Sequence, residues 1–334
     1  MSKLIKLSDV AKALDVSVVT VSKALSGQKG VSESKRKQII DLADKLGYVY
    51  TSKPKISYNI AVLVHERYMD SCGSFYHRIY QNLNHKAALK NSYTMLFTIN
   101  EDMERQFVVP DVIINKKIDG VIVIGKISSG YLHFLEEEFH IPTVFIDYFD
   151  NNINLDVVLS DSYYGAYLLT KYLIDRGHRD IAYVGTLLAT GSITDRYLGY
   201  KKCMLENSLT VKDEWIIDDR HKETGVIDDV KLMKLPEKLP TAFFCNCDLV
   251  ASKLISKLEY MGYCIPNDVS VVGYDNYLLP KQCDVEITTY EVNLSEIAKI
   301  SISNIINKID KKRFQKGITI VEGKLIEKKS VKRI

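Results

Sequence analysis

Seven side chains stand just past apolar, strand-like runs and have chemistry to offer: Phe75, Tyr76, Asp147, Asp161, Arg196, Asp248 and Asp275. In open parallel α/β sheets ligands bind beyond the carboxyl ends of the strands, so these positions converge on one candidate site. A carboxylate accepts from two neighbouring hydroxyls, a guanidinium donates a fork, and an aromatic ring stacks on the apolar face of a sugar. The set suits a polyol. Asp161 and Asp248 also stand where they can cap the helices that follow them, and Arg220 and His221 of the DDRHKETG stretch are further lining candidates. A second group lies near the N-terminus, where Val18, Val19, Ser22 and Lys23 fall on the outer side of a short helix. Lys23 can donate to guanine O6/N7, and a valine can pack on a thymine methyl. Adjacent helix residues point about 100° apart, so Val18 and Val19 cannot both sit at the centre of one buried stripe.

The elements that must hold these groups follow from capping residues and apolar period. Ser8 can cap a first helix with Val10, Ala11 and Leu14 on its apolar side, and Asp15-Val16 turns the chain. Ser17 can cap a second helix from Val18 to Leu25, whose Val21, Ala24 and Leu25 face inward. Ser26-Gly27 ends it. Ser32 can cap a third helix to Leu46, with Gly47 at its C-cap and Ile39, Leu42, Ala43 and Leu46 as its buried stripe. Three short helices with a tight turn between the first two predict a helix-turn-helix, whose second helix enters the major groove. From residue 58 the pattern changes to strand-like runs at 58–64, 93–99, 120–125, 142–147, 156–160, 180–185, 241–245 and 270–275. Helical stretches such as 75–90, 162–176, 195–207 and 248–262 lie between them. Such βα alternation predicts two lobes of parallel sheet wrapped by helices. The expected division is a head at 1–50, a short linker at 51–58 and a body at 59–334.

Bulk properties narrow the function classes. The chain has 334 residues, 46% hydrophobic and 26% charged, with a net charge of +3. Residues 1–55 hold 11 Lys/Arg against five acids, a net +6, which leaves −3 on the other 279 residues. A basic head on a slightly acidic body points to a polyanion partner for the head. No run approaches the roughly 20 apolar residues of a membrane span, and MSKLIKLSDVAKALDV offers no signal-peptide core. The expected location is therefore cytoplasmic, with no membrane partner. The six cysteines contain no CxxC pair, and strand alternation points Cys245 and Cys247 to opposite faces. Free thiols are expected, with no metal and no cofactor. The chain lacks GxSxG, a P-loop, HExxH and GxGxxG, so no enzyme is expected. A transport-type sugar receptor of similar two-lobed shape would need an export signal and would not carry a basic helix-turn-helix.

LSDVAKALDVSVVTVSKALSG, followed by VSESKRKQIIDLADKLGY, resembles the DNA-binding head of the LacI/GalR family along its whole length. SDSYYGAYLLTKYLIDRGHRDIAYVG, DRYLGYKKCMLEN, PTAFFCNCDLVASKLISKLEYMGYCIPNDVSVVGYDN and ITTYEV resemble the family's effector-binding body. The resemblance implies a periplasmic-binding-protein-like, α/β body in which two lobes clamp a small molecule and the chain crosses between them three times. It implies Val18, Val19, Ser22 and Lys23 as base readers and Thr20 on phosphate. Arg196 and Asp275 become the principal effector contacts, Phe75 or Tyr76 the aromatic wall, and Asp147 a contact from the first lobe. The implied protein is a homodimeric repressor of sugar-utilisation genes, bound to a near-palindromic operator and controlled by a sugar-like effector. The alternative keeps the DNA-binding role but makes the controlling partner a protein such as a phosphocarrier. Two departures stand out. Cys247 occupies the place of a usual Asn, and the stretch from Gly47 to Ile60 is shorter than usual, without the leucine signature of the hinge helix that wedges into the minor groove. Pro54 opposes a helix there, so an extended linker is expected, with Lys53 and Lys55 near phosphates.

Overall fold

Capping side chains set the ends of the helices in the first part of the chain. The computed structural model describes residues 5–25, 30–46, 48, 57–69, 75–115, 117–149, 156–222, 225–227, 233–279, 281–312 and 316–334. The chain divides into two units, Met1–Ser57 and Tyr58–Ile334. In the first, α1 spans Leu7–Ala13, α2 Val18–Leu25 and α3 Glu33–Leu46. The Lys6 backbone N–H donates to the Asp9 carboxylate at 2.8 Å, and Lys6 rather than the expected Ser8 is the N-cap, so α1 starts two residues early. Ser17 Oγ accepts from the Thr20 N–H at 3.1 Å and Ser32 Oγ from the Lys35 N–H at 3.4 Å, as capping residues do. Val10, Ala11, Val21, Ala24, Leu25, Ile39 and Ala43 form the core, while Leu46 at the end of the α3 stripe is exposed. Arg36 Nη1 donates to the Ala24 carbonyl at 2.9 Å, tying α3 to the C-terminal end of α2. Ser26-Gly27, the Gly47 cap and linker residues 49–56 lie outside the described residues.

The second unit runs β1 (Asn59–His65), a single helical turn at Glu66–Tyr68, α4 (Phe75–Ala88), β2 (Tyr93–Ile99), α5 (Glu101–Gln106), α6 (Asp111–Ile114), β3 (Gly120–Ile124), α7 (Ser129–Phe139), β4 (Thr143–Ile146) and β5 (Val157–Ser160). It continues through α8 (Ser162–Asp175), β6 (Ile181–Val184), α9 (Gly191–Glu206), β7 (Ile216–Ile217), β8 (Ala242–Cys245), α10 (Asp248–Tyr260) and β9 (Ser270–Val272). The last elements are β10 (Thr289–Glu291), α11 (Leu294–Ile309), β11 (Ile318–Val321) and β12 (Lys324–Ile326). One sheet has the order β11-β5-β4-β3-β1-β2, the other β7-β6-β8-β9, and every pair in both is parallel. Strands such as β1, buried from Ile60 to His65, need helices on both faces, which is what the βα order supplies.

Each sheet is the centre of one lobe, and the chain passes between them three times. It leaves the first sheet after β5, returns to it with β11, and leaves again for β12, which pairs antiparallel with β10. The final residues belong to the second lobe, where the Ser330 carbonyl accepts from the Val271 N–H at 2.9 Å. Helices α8 and α9 pack so closely that a Cβ on Gly199 would meet the Tyr163 carbonyl oxygen at 2.0 Å. Only glycine allows that approach. Among the described residues no helix is long and apolar enough to cross a membrane.

Candidate functional site

On the head, the expected partition of α2 is present in the side chains. Val21 and Ala24 are buried, whereas Val18 is 46% and Val19 62% exposed. Ser22 and Lys23 are exposed on the same helix. Thr20 is half-buried, and its Oγ1 lies 2.8 Å from Ser17 Oγ. Two exposed valines beside a lysine on an eight-residue helix make an apolar and cationic surface of a kind that base edges fit.

In the body, the ends of β1, β4, β6, β8 and β9 open on a cavity of about 460 Å³. Phe75, Tyr76, Asp147, Arg196 and Asp275 all line it, as does Arg220; His221 is not among its lining residues. Phe75, Tyr76 and Asp147 come from the first lobe, Arg196, Arg220 and Asp275 from the second. Asp147 and Asp275 take positive φ angles of 61° and 96°. Such backbone is uncommon for non-glycine residues and is held where a side chain must be aimed.

Each lobe fixes its own polar groups. The Tyr76 hydroxyl donates to Asp147 Oδ2 at 2.7 Å, and its ring stacks on Tyr68 at 4.8 Å. Arg196 sits early in α9, whose first turn is closed by Thr190 Oγ1 accepting from the Ile193 N–H. Its Nη1 donates to the Asn246 carbonyl at 2.6 Å and its Nη2 to Asp275 Oδ1 at 3.2 Å, and the guanidinium lies 3.8 Å from the Tyr274 ring centre. Arg196 Nε is buried without a hydrogen bond. Arg220 is held by Asp219 Oδ2 at 2.7 Å and Asn246 Oδ1 at 3.0 Å. Between the lobes, Phe75 meets Tyr277 at 6.3 Å and the Arg78 guanidinium lies 5.4 Å from the same ring.

Electrostatics follow burial. Burial, and then the Asp147 charge, push the Tyr76 hydroxyl well above its ordinary range, so it stays a donor. Burial also raises the Asp147 carboxyl from 3.8 to about 6, against the pull of Arg196 and the Tyr76 hydrogen bond. Asp275 is raised by burial, partly offset by Arg196. Asp219 behaves oppositely: burial would raise it, but Arg220 and the hydrogen bonds around it hold it below the usual range. For Asp147 a raised folded-state pKa means that the neutral carboxyl's stabilisation is complete below about 3.8 and is lost as pH rises through about 6. Asp147→Asn stays neutral throughout. It should therefore be more stable than the parent at pH 7.5 by on the order of 2 kcal/mol, with the gap closing towards pH 5. Thermal unfolding at the two pH values checks this; a gap that does not change with pH refutes it.

The two carboxylates at helix starts behave differently. Asp161 is the N-cap of α8, accepting from the Tyr164 N–H at 3.0 Å. Asp248 is not a cap: Cys247 occupies that place, and the Asp248 carboxylate accepts from the Tyr277 N–H at 2.9 Å in a distant loop. Arg67, Tyr68, Asn246, Lys253 and Tyr277 also line the cavity. Of these only Tyr277, two residues past Asp275, carried a usable sequence signal. Among the described residues no cluster of His, Cys, Asp and Glu could hold a metal ion.

Comparison with known proteins gives consistent matches. Residues 6–50 match the model for bacterial regulatory proteins of the lacI family, and residues 170–331 match that for a periplasmic binding protein-like domain. Together they span more than half of the chain. The HTH-type transcriptional repressor PurR of Vibrio campbellii is 26% identical over 338 residues, covering 98% of this chain and 99% of its own. The transcriptional regulator CelR–cellobiose complex superposes with a TM-score of 0.68 at 19% identity, covering 98% of this chain and 99% of that one. The lac repressor dimer bound to operator and the anti-inducer ONPF gives a TM-score of 0.68 at 18% identity, covering 99% and 100%. At these identities the two structures establish the fold.

Proposed function

The chain belongs to the LacI family of bacterial transcription regulators, and from that premise we propose a homodimeric repressor of sugar-utilisation genes that reads a near-palindromic operator and answers to a sugar-like effector in its interlobe cleft. The observation that carries the effector half is convergence. Five side chains from four separate stretches of sequence meet in one cavity, with two carboxylates for hydroxyls, a buried guanidinium and an aromatic wall. A cleft of this size between two lobes favours a small molecule over a protein partner such as a phosphocarrier, and nothing in the fold or the comparisons speaks for the latter. The same reading makes the chain a binding protein rather than an enzyme and places it in the cytoplasm. The head at 1–50 would act through the linker at 51–58.

A ligand touching Asp147 from one lobe and Arg196 with Asp275 from the other favours the closed cleft. Such a ligand shifts DNA affinity only by binding one form better than the other. On the head, Lys23 and the exposed valines read bases while Thr20 contacts phosphate. Lys23→Ala should cost roughly 1–3 kcal/mol at one base pair and relax preference there. Lys35→Ala should weaken all sequences alike, and by less. Operator titrations of both variants against a set of single-base substitutions, with and without a panel of mono- and disaccharides, test both halves. Equal, sequence-independent losses would make Lys23 a phosphate contact. An operator affinity that no small molecule in the panel alters would sink the effector half.

A further inference from the structure

The polar groups facing the cleft are unevenly matched. Asp275 is bonded to Arg196 and Asp147 to Tyr76. Arg220 spends its Nε and Nη2 on Asp219 and Asn246, and its Nη1 makes no hydrogen bond among the described residues. Arg67 is the outlier. It follows β1 on the single turn Glu66–Tyr68, and its side chain is 17% exposed. Its nearest acid, Glu104, stands 3.9 Å from Nη2, beyond hydrogen-bond distance, and its Nε is buried with no partner. Its guanidinium makes no hydrogen bond among the described residues, although it offers five donors. Arg67 belongs to the first lobe and Arg220 to the second, yet both line the same cavity and act on one group there. Burial raises the Tyr68 hydroxyl, and Arg67 and Arg220 each pull it back down.

We propose that the effector carries an oxyanion, of the kind a phosphate ester presents, held between Arg67 of the first lobe and Arg220 of the second. The inference rests on the effector reading above and narrows it from a polyol to an anionic polyol. Two guanidiniums brought towards each other across a cleft repel, and an anion between them turns that repulsion into attraction. Arg67 can offer a planar pair of N–H donors to such an anion, as arginine does for phosphate and carboxylate, and Arg220 adds the N–H groups of its Nη1. Asp147 carries charge at neutral pH, since its carboxyl is raised only to about 6, but it is already bonded to the Tyr76 hydroxyl and is set against two guanidiniums. Asp275 stays occupied by Arg196. The hydroxyls of the same molecule remain for the carboxylates, and its apolar face for Tyr76 and Phe75. The anion therefore supplies the term that makes closure depend on ligand.

Inorganic phosphate serves as the first probe, titrated into full-length protein at constant ionic strength with thermal unfolding as the readout. Millimolar phosphate should raise the unfolding midpoint of the parent. The effect should be at least tenfold weaker in Arg67→Gln, restored in part by Arg67→Lys, and unchanged in Lys23→Ala, which separates the cleft from the basic head. Glucose 6-phosphate, glucuronate and glucose then rank phosphate, carboxylate and neutral forms. Either anion binding at least tenfold tighter than glucose, with Arg67→Gln erasing the difference, supports the proposal. A phosphate response that persists in Arg67→Gln, or its absence in the parent, overturns it. If a neutral sugar alters operator affinity while phosphate does nothing, the effector reading stands and the anion is wrong. If neutral and anionic sugars all leave operator affinity unchanged, both fall.

Discussion

Replacing Asp275 with alanine is expected to destabilise the body by roughly 3–5 kcal/mol, the cost of stranding a buried charge. Its partner Arg196 is 7% exposed on its side chain, and Asp275 is 11% exposed. Arg196 already has one unpartnered nitrogen, so it has little to fall back on when the carboxylate goes. What remains is the Asn246 carbonyl, the face of Tyr274 and the field of Asp147, which places the loss towards the lower end of that range. Asp275→Asn is the informative companion. Its side-chain oxygen still accepts from Arg196, and asparagine tolerates the positive φ of 96° at this position. It should fold nearly as well as the parent yet lose the effector response, because the charged acceptor for ligand hydroxyls is gone. Urea unfolding and operator titration with effector check the two variants. An alanine variant within about 1 kcal/mol of the parent would mean that Arg196 is solvated after all. An asparagine variant that answers at the parent's effector concentration would make the carboxylate structural.

Why Asp275 and its neighbours could be picked from sequence, and Arg67 could not, has a physical reason. Strand runs such as Tyr93–Ile99 and Ile181–Val184 are apolar, β-branched or aromatic, and bounded by turn residues, so their carboxyl ends are legible and the residues just past them follow. Arg67 and Tyr68 lie on a single helical turn, too short to show any period. Helix α9 begins at Gly191, four residues before the expected 195, because Thr190 caps it inside a stretch that reads as loop. Asp248 shows the limit of local rules. A carboxylate at a helix start predicts a cap, but a tertiary contact with Tyr277 won. The return of α11 and β11 to the first lobe has no local signature either. It is fixed by packing, with Ile305 filling the space that a side chain at Gly120 would need. In the head, by contrast, caps and stripe at α2 agree, and its bounds match the expected ones.

Operator affinity should fall by about 10³–10⁵ between 50 and 200 mM salt, the loss expected when 6–10 phosphates are neutralised. The argument starts from where the charge sits. Residues 1–55 carry a net +6 and the remaining 279 residues carry −3, so the proposed dimer would present two strongly basic heads and a body that adds no attraction of its own. Each lysine or arginine on a phosphate releases condensed counterions, and their release weakens as salt rises, so the plot of log affinity against log salt is a line whose slope counts contacts. Two heads with three to five contacts each imply a slope of roughly −5 to −9. Removing one phosphate contact per head should make the slope shallower by about 2 for the dimer. Lys35→Ala is therefore expected to change the slope and Lys23→Ala chiefly the base preference, while Asp275→Asn, a change in the other unit, should alter neither. Because a two-fold dimer reads two half-sites, the footprint should show them about one helical turn apart. Fluorescence anisotropy across a salt series, on the palindrome and on one isolated half-site, decides the matter. A slope shallower than about −2 on the palindrome, or equal affinity for the half-site, would mean that the two heads do not bind together.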